Sequence, residues 1–254
     1  MCLILFAYKA HPKYKLIVAA NRDEFYDRPT ETAHWWNDEE TILGGKDLKE
    51  NGSWFAINKL GRFAALTNYR DPFNIKENVP SRGALVTGFL KNNNNDLSFS
   101  DYLVENGKQF NGFNIIYGDP DELCYYSNYQ GKPTTLKPGI YGLSNALLDA
   151  PWPKVAQGKK DLVNLIAGKD FSIEASFDFL NNSEIAPDEK LPDTGVGMEK
   201  ERMLSPLFIK NTNYGTRCST ILLVDNDDEV TFVERSYVPK KETDQSYQFR
   251  LNNR

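Results

Sequence analysis

The order of elements along the chain predicts an α+β fold: a four-layer αββα sandwich in which two antiparallel sheets stack and helices cover both outer faces. Three observations carry this. Strand-like runs come in groups at the start, middle and end of the chain, and a pair of helix-like segments separates each group from the next. Neighbouring strand-like runs are joined by short polar or glycine-containing turns, as in antiparallel hairpins. The 254 residues, 40% hydrophobic and 13% aromatic, are enough for the core of one large domain, so residues 1–254 are read as a single unit. A single α+β sheet is the second choice.

The first hairpin pairs Leu3-Ile4-Leu5-Phe6-Ala7 with Leu16-Ile17-Val18-Ala19-Ala20 across a polar His11-Pro12-Lys13 turn. The antiparallel return brings the end of the second run, with Arg22 and Asp23, beside Cys2. The aromatic stretch 32–36 is expected at the rim of this hairpin. Ile42-Leu43-Gly44-Gly45 then leads to strands over 53–57 and 62–67, joined by Asn58-Lys59-Leu60-Gly61 with glycine where positive φ is needed. The second of these ends at Asn68-Tyr69-Arg70-Asp71-Pro72.

Ser81 reads as the N-cap of a helix over 83–90. Asn92 to Asn95 forms a brief low-complexity loop, and a second helix runs from about 100 to 108 with Tyr102, Leu103 and the later Phe110 inward. Strands follow over 113–117, 122–127 and 134–142. Pro151-Trp152-Pro153 opens a helix to about 165, and 172–180 is another. Residues 185–197, rich in Pro, Asp and Gly, are expected to be a mobile loop. A hairpin over 218–224 and 230–237 comes next, and a last strand over 246–251 is expected. There is no internal repeat.

Composition excludes several classes. The net charge is -5 with scattered basic residues, which argues against a nucleic-acid partner. No apolar run approaches the roughly 20 residues of a membrane helix. The opening apolar run lacks a basic leader and a cleavage site, and three widely spaced cysteines make no disulfide framework. The expected address is the cytoplasm. Only His11 and His34 are present, one in a turn and one beside Trp35-Trp36, and both read as bystanders. A nucleophile in this chain therefore needs a base other than histidine, and no metal or cofactor is expected.

Cys2 follows the initiator methionine and is small enough for that methionine to be trimmed, which leaves a thiol and a free α-amine on one residue. An unperturbed α-amine has a pKa of about 7.7–8.0 and a thiol about 8.5, so one can take a proton from the other near neutral pH. Arg22 nearby would favour thiolate, and Asp23 could orient the α-ammonium. The alternatives are a small buried cysteine and a solvated charge cluster at a strand end. Cys124 and Cys218, in strand-like runs, read as inert core thiols.

Met1-Cys2 followed by the run Ala20-Asn21-Arg22-Asp23-Glu24-Phe25-Tyr26-Asp27-Arg28-Pro29 resembles the opening of the NRDE family, also known as the transport and Golgi organisation protein 2 family. The resemblance continues along the chain through Gly52-Ser53-Trp54-Phe55-Ala56-Ile57, Leu66-Thr67-Asn68-Tyr69-Arg70, Ser81-Arg82-Gly83, Tyr141-Gly142-Leu143-Ser144-Asn145, Gly215-Thr216-Arg217-Cys218-Ser219-Thr220 and Val230-Thr231-Phe232-Val233-Glu234-Arg235. That family in turn is similar to the N-terminal-nucleophile hydrolases of the penicillin V acylase and bile-salt hydrolase type, αββα amidases that cleave non-peptide amide bonds. The resemblance implies Cys2 as nucleophile and base, and Arg22 and Asp23 on the adjacent strand. It also implies Asn68 and Asn145 as oxyanion donors and Arg217 as the late arginine. The full Asn-Arg-Asp-Glu run is absent from those hydrolases, so Asn21 and Glu24 need another role.

Two functions from different classes follow. The first is an N-terminal-cysteine amidohydrolase acting on a small or lipidic amide. The second is a non-catalytic carrier or chaperone for a hydrophobic ligand, lipid or haem, linked to membrane traffic. A scaffold for protein partners has no supporting motif, and the oligomeric state is not legible in the sequence.

Overall fold

The computed structural model describes residues 2–37, 41–91, 96–168, 171–238 and 242–252. In chain order the strands and helices begin with β1 (Cys2–Tyr8), β2 (Tyr14–Phe25), β3 (Thr30–Trp35), β4 (Ile42–Asp47), β5 (Phe55–Asn58) and β6 (Phe63–Asn68). Two helices follow, α1 (Gly83–Lys91) and α2 (Asp96–Asn106), then β7 (Phe113–Gly118), β8 (Leu123–Ser127), β9 (Thr134–Thr135) and β10 (Gly139–Leu143). The last part holds α3 (Pro153–Ile166), α4 (Ile173–Leu180), α5 (Met198–Met203), β11 (Tyr214–Asp225), β12 (Glu229–Ser236) and β13 (Thr243–Arg250).

Among the described residues the strands form two antiparallel sheets. The first has the order β10-β1-β2-β11-β12-β13 and the second β3-β4-β5-β6-β7-β8-β9. Every residue of β1 is buried. A central strand covered on both faces reads as a continuous apolar run rather than an alternating one, which is why 3–7 carries no polar residue. Ile4, Phe6, Val18, Phe55, Phe63 and Phe232 fill the space between the sheets, with Phe55 edge-on to Phe63 at 5.1 Å and to Phe232 at 5.9 Å. Leu3, Leu5, Ile17, Ala19 and Ile221 face the opposite way, under Val155 and Leu162 of α3 and Phe177 and Leu180 of α4. On the far side, Leu85, Phe89, Phe99 and Leu103 of α1 and α2 cover Ala64, Ile115 and Tyr117. These layers make the expected αββα sandwich.

Some elements differ from the expectation. Ile42–Asp47 is a strand despite its two glycines, because a Cβ at Gly44 would stand 2.6 Å from the Phe55 carbonyl oxygen, so only glycine lets β4 approach β5. β3 is the edge of the second sheet rather than the rim of the first hairpin, and Trp35 packs edge-on against Phe249 of β13. The run 134–142 divides into β9 and β10, which belong to different sheets; Pro138 between them has no N–H to continue a ladder.

The helical segments also shift. α1 begins at Gly83, so the residue ahead of it is Arg82, and Ser81 supplies its carbonyl to Ala84 N–H rather than a capping side chain. Leu103 of α2 and the later Phe110 are buried as expected, while Tyr102 is exposed and Phe99 is buried instead. Ser172 caps α4, accepting from Ala175 N–H at 3.1 Å. Residues 185–197 carry a 3-10 turn, Asp188–Lys190, and lead into α5, which the Pro-, Asp- and Gly-rich composition hid. The loop expected at 92–95 lies outside the described residues. Among the described residues no helix is long and apolar enough to cross a membrane.

Candidate active site

The register of the first sheet builds the site. Cys2 on β1 is the cross-strand partner of Arg22 on β2, and Arg22 is in turn the partner of Cys218 on β11. Asp23 pairs with Thr216, and a bulge between Thr216 and Cys218 leaves Arg217 out of register. Because side chains alternate along a strand, the Asn21-Arg22-Asp23-Glu24 run is divided between two faces. Arg22 and Glu24 share the inter-sheet side with Cys2, while Asn21 and Asp23 point toward the helices.

That division accounts for Asn21. Its amide nitrogen donates to the carbonyls of Leu180 at 2.9 Å and Leu207 at 2.8 Å, and its oxygen accepts from the Ser219 hydroxyl. Asn21 therefore ties β2 to the end of α4 and to the segment ahead of β11. Asp23, 1% exposed, accepts from the Thr216 hydroxyl at 2.7 Å. Burial pushes its carboxyl group above the usual range, and Lys154 is the chief charge acting the other way.

On the inter-sheet side lies a cleft lined by Cys2, Arg22, Glu24, Asn68 and Arg82, with Trp54 as its apolar wall. Burial is the largest influence on the Cys2 thiol and pushes it up, and the Asp23 carboxylate adds to this. Arg22 and the Asp23 backbone N–H, bonded to the sulfur, pull it down. Arg22 donates to the Thr30 hydroxyl at 3.2 Å and stands 3.9 Å from the Asp47 carboxylate, which Arg28 also pairs at 2.7 Å. The opposite wall forms where the 52–53 backbone crosses the start of α1, with Ser53 N–H donating to the Gly83 carbonyl at 3.3 Å.

Both asparagines join this end of the molecule. Asn68, the last residue of β6, lines the cleft. Asn145, fully buried, donates its side-chain amide to the Asn68 carbonyl at 2.8 Å. The Ser144 hydroxyl reaches the Cys2 carbonyl at 3.0 Å and the Asn145 side-chain oxygen at 3.2 Å, so one hydrogen-bonded network connects the ends of β1, β6 and β10.

Arg217 lies apart from these groups. Its guanidinium donates to the carbonyls of Phe25, Tyr26 and Arg28 at 2.6, 3.1 and 2.8 Å, holding the turn that carries Arg28. Four of the six expected residues, Cys2, Arg22, Asp23 and Asn68, therefore border the cleft, although the Asp23 carboxylate turns to Thr216 on the helix side; Asn145 is bonded to the cleft from behind, and Arg217 braces the neighbouring turn. Met1 is outside the described residues. Cys124 and Cys218 are buried in β8 and β11, and neither histidine lines the cleft.

A family model for transport and Golgi organisation 2 matches residues 1–239. The chain belongs to that family. Relatives in the family include the human homologue of transport and Golgi organisation protein 2, 41% identical over 262 residues covering 94% of each chain. The Bos taurus homologue is 37% identical over the full length of both chains. The Drosophila melanogaster protein is 27% identical over 268 residues, covering 93% of this chain and 92% of its own. Among solved structures, two variants of a conjugated bile acid hydrolase from Clostridium perfringens superpose with TM-scores of 0.45 and 0.47 at 11% and 10% identity, covering 99% of this chain and 97% of theirs.

Sequence reasoning missed three charged groups here. Arg82, beside α1, lines the cleft and donates to the Gly112 carbonyl at 3.0 Å; it stands within the Ser81-Arg82-Gly83 motif, so its signal was present. Arg70 lies over the Trp152 ring at 4.6 Å and pairs with Glu201 of α5, which also accepts from Thr194 N–H at 3.0 Å. Lys154 is buried on α3 and left no motif.

Proposed function

We propose that the cleft is the active site of a cysteine amidohydrolase that cleaves a non-peptide amide of a small or lipidic substrate, with Cys2 as the nucleophile once residue 1 is removed. The observation that carries this is the pairing of Cys2 with Arg22 at a cleft wall that also holds Asn68. A thiolate there has a guanidinium beside it and the Asp23 N–H on its sulfur, and both favour the charged form. The resemblance of the Cys2, Arg22-Asp23, Asn68 and Asn145 motifs to N-terminal-nucleophile amidases supports the same reading. Asn145 fixes the Asn68 backbone, leaving the Asn68 side chain to donate to an oxyanion.

In this mechanism the α-amine of Cys2 takes the thiol proton and the sulfur attacks the amide carbon. The carbonyl oxygen becomes an oxyanion facing Asn68. The C–N bond then breaks, the α-ammonium returns its proton to the leaving amine, and a thioester remains on Cys2. Water, deprotonated by the same amine, opens the thioester and releases the acid. Arg22 stabilises the thiolate, and Asp23 orients the α-ammonium from the other face.

A carrier of lipid or haem would need an apolar cavity, and this cleft is lined by charged groups including Arg22, Glu24, Arg28, Asp47 and Arg82. The test is turnover of a panel of N-acyl amides by wild type and Cys2→Ala, with intact mass of the purified protein. Turnover by wild type alone, in protein that has lost residue 1, is the expected result. Equal turnover by both, or retention of Met1 in active protein, overturns the mechanism.

A further inference from the structure

α3 buries Lys154, Val155, Gly158 and Leu162, residues spaced along one helix face. A Cβ at Gly158 would lie 2.5 Å from a methyl carbon of Leu5, so this face presses directly on β1. Lys154 stands one turn ahead of Gly158 on the same face and is 2% exposed. Its ammonium makes no hydrogen bond to any described residue. Buried lysines ordinarily send the ammonium out to water along the flexible stem. Here the whole group stays inside, and its surroundings are charged. Asp23 comes from β2, Cys2 from β1, Arg70 from the segment after β6 and Glu201 from α5. Asp23 also lies on the helix-facing side of β2, the side that α3 covers. Lys154 is the strongest charged neighbour of Asp23, and Asp23 that of Lys154.

An isolated ammonium in such a place is costly unless a carboxylate faces it. Arg70 also acts on Asp23, though less strongly than Lys154, and its guanidinium pairs with Glu201. The Thr216 hydroxyl supplies a hydrogen bond to the carboxylate but no charge.

We propose that Lys154 is a positioning residue of the Cys2 site: its buried ammonium neutralises Asp23 from the helix layer and keeps that carboxylate ionised beneath the strand end that carries Cys2. Cys2 and Lys154 thus address opposite faces of the same sheet at the strand ends, with Asp23 between them. This rests on Cys2 being the nucleophile, since that is what gives an ionised Asp23 something to orient. When Lys154 loses its proton, the Asp23 carboxylate loses the strongest of the positive charges acting on it, and both the thiol and the α-amine of Cys2 hold their protons more tightly. The site therefore responds to pH through a residue that does not touch substrate.

Carbon-13 NMR of the full chain tests this, following the Asp23 carboxyl carbon, assigned by its loss in Asp23→Asn, and the Lys154 side-chain carbon next to nitrogen. In wild type the Lys154 signal is expected to titrate well below the usual lysine range, with a matching inflection on Asp23. Lys154→Met should raise the Asp23 protonation midpoint by about one pH unit or more, a tenfold gain in proton affinity, and Lys154→Arg should restore it. Unchanged Asp23 midpoints across the three proteins overturn the proposal. If Lys154→Met does not fold, wild type alone decides: a Lys154 titrating above about 10, with no inflection on Asp23, overturns it. Intact coupling in a protein with no amide turnover would sink the amidase and leave the Lys154–Asp23 pair. Lost coupling in an active amidase would sink the pair alone.

Discussion

Asn145 donates its side-chain amide to the backbone carbonyl of Asn68 at 2.8 Å, so the residue beyond β10 in one sheet holds the end of β6 in the other. The two asparagines that the motifs single out therefore have separable roles, one at the cleft and one behind it. Asn68→Ala is expected to reduce kcat by about 10²–10³ with little change in stability, the usual effect of removing an oxyanion donor. Asn145→Leu leaves the Asn68 carbonyl unsatisfied and should cost about 1–3 kcal/mol of stability. Steady-state kinetics and urea unfolding on both variants check the distinction.

Arg22 pulls the Cys2 thiol down against burial. Arg22→Gln removes that pull, so alkylation of Cys2 by iodoacetamide should move to higher pH. At neutral pH the rate should fall about tenfold for every pH unit by which the profile moves. Peptide mass spectrometry distinguishes Cys2 from Cys124 and Cys218. A Cys2 profile that does not move in the variant counts against Arg22 as the stabilising cation.

Lys154, pulled down to about 8 by burial from its free value of 10.5, gives stability a pH dependence of known sign. Between those two values the unfolded chain holds the Lys154 proton and the folded chain does not, so this group makes folding more favourable as pH rises through that window. The slope is at most about 1.4 kcal/mol per pH unit. Burial also pushes the Cys2 and Cys218 thiols up, which adds its own pH dependence, so the observable is the difference between wild type and Lys154→Met. Wild type should gain stability relative to the variant from pH 8 upward, measured by denaturant titration.

The wall of the cleft depends on a backbone crossing. A Cβ at Gly52 would stand 2.6 Å from the Gly83 carbonyl carbon, which no side-chain adjustment relieves. Gly52→Ala should therefore destabilise the fold by about 1–3 kcal/mol and widen the cleft at Arg82. Thermal unfolding and the KM for any turned-over amide report the two effects.

Much of the fold was legible because burial on both faces leaves an unbroken apolar run, as in β1, and because helix starts such as Pro153 and Ser172 carry their own chemistry. β4 was not, since Gly44 is there for a close approach that only the packed sheet reveals. The division of 134–142 between sheets was marked by Pro138, but the direction each half takes is a tertiary choice. At the site, Cys2, Arg22 and Asp23 could be brought together from the hairpin alone. The alternation that sends Asp23 to the helix side was implicit in the same strand. Lys154 was invisible because its meaning lies in what α3 packs against, and the carbonyls that Arg217 holds at residues 25–28 are too distant in sequence for any local pattern to announce.

The step from Thr135 to Gly139, where the chain leaves one sheet and enters the other, spans at most about 13–14 Å even when fully stretched, against a sheet spacing of about 10 Å. Along that edge the sandwich is bound like the spine of a book. The layers cannot gape there to admit a bulky guest, whereas the fore-edge is clasped by side chains, with Trp35 of β3 against Phe249 of β13 and the Tyr247 hydroxyl donating to the Ala33 carbonyl at 2.9 Å.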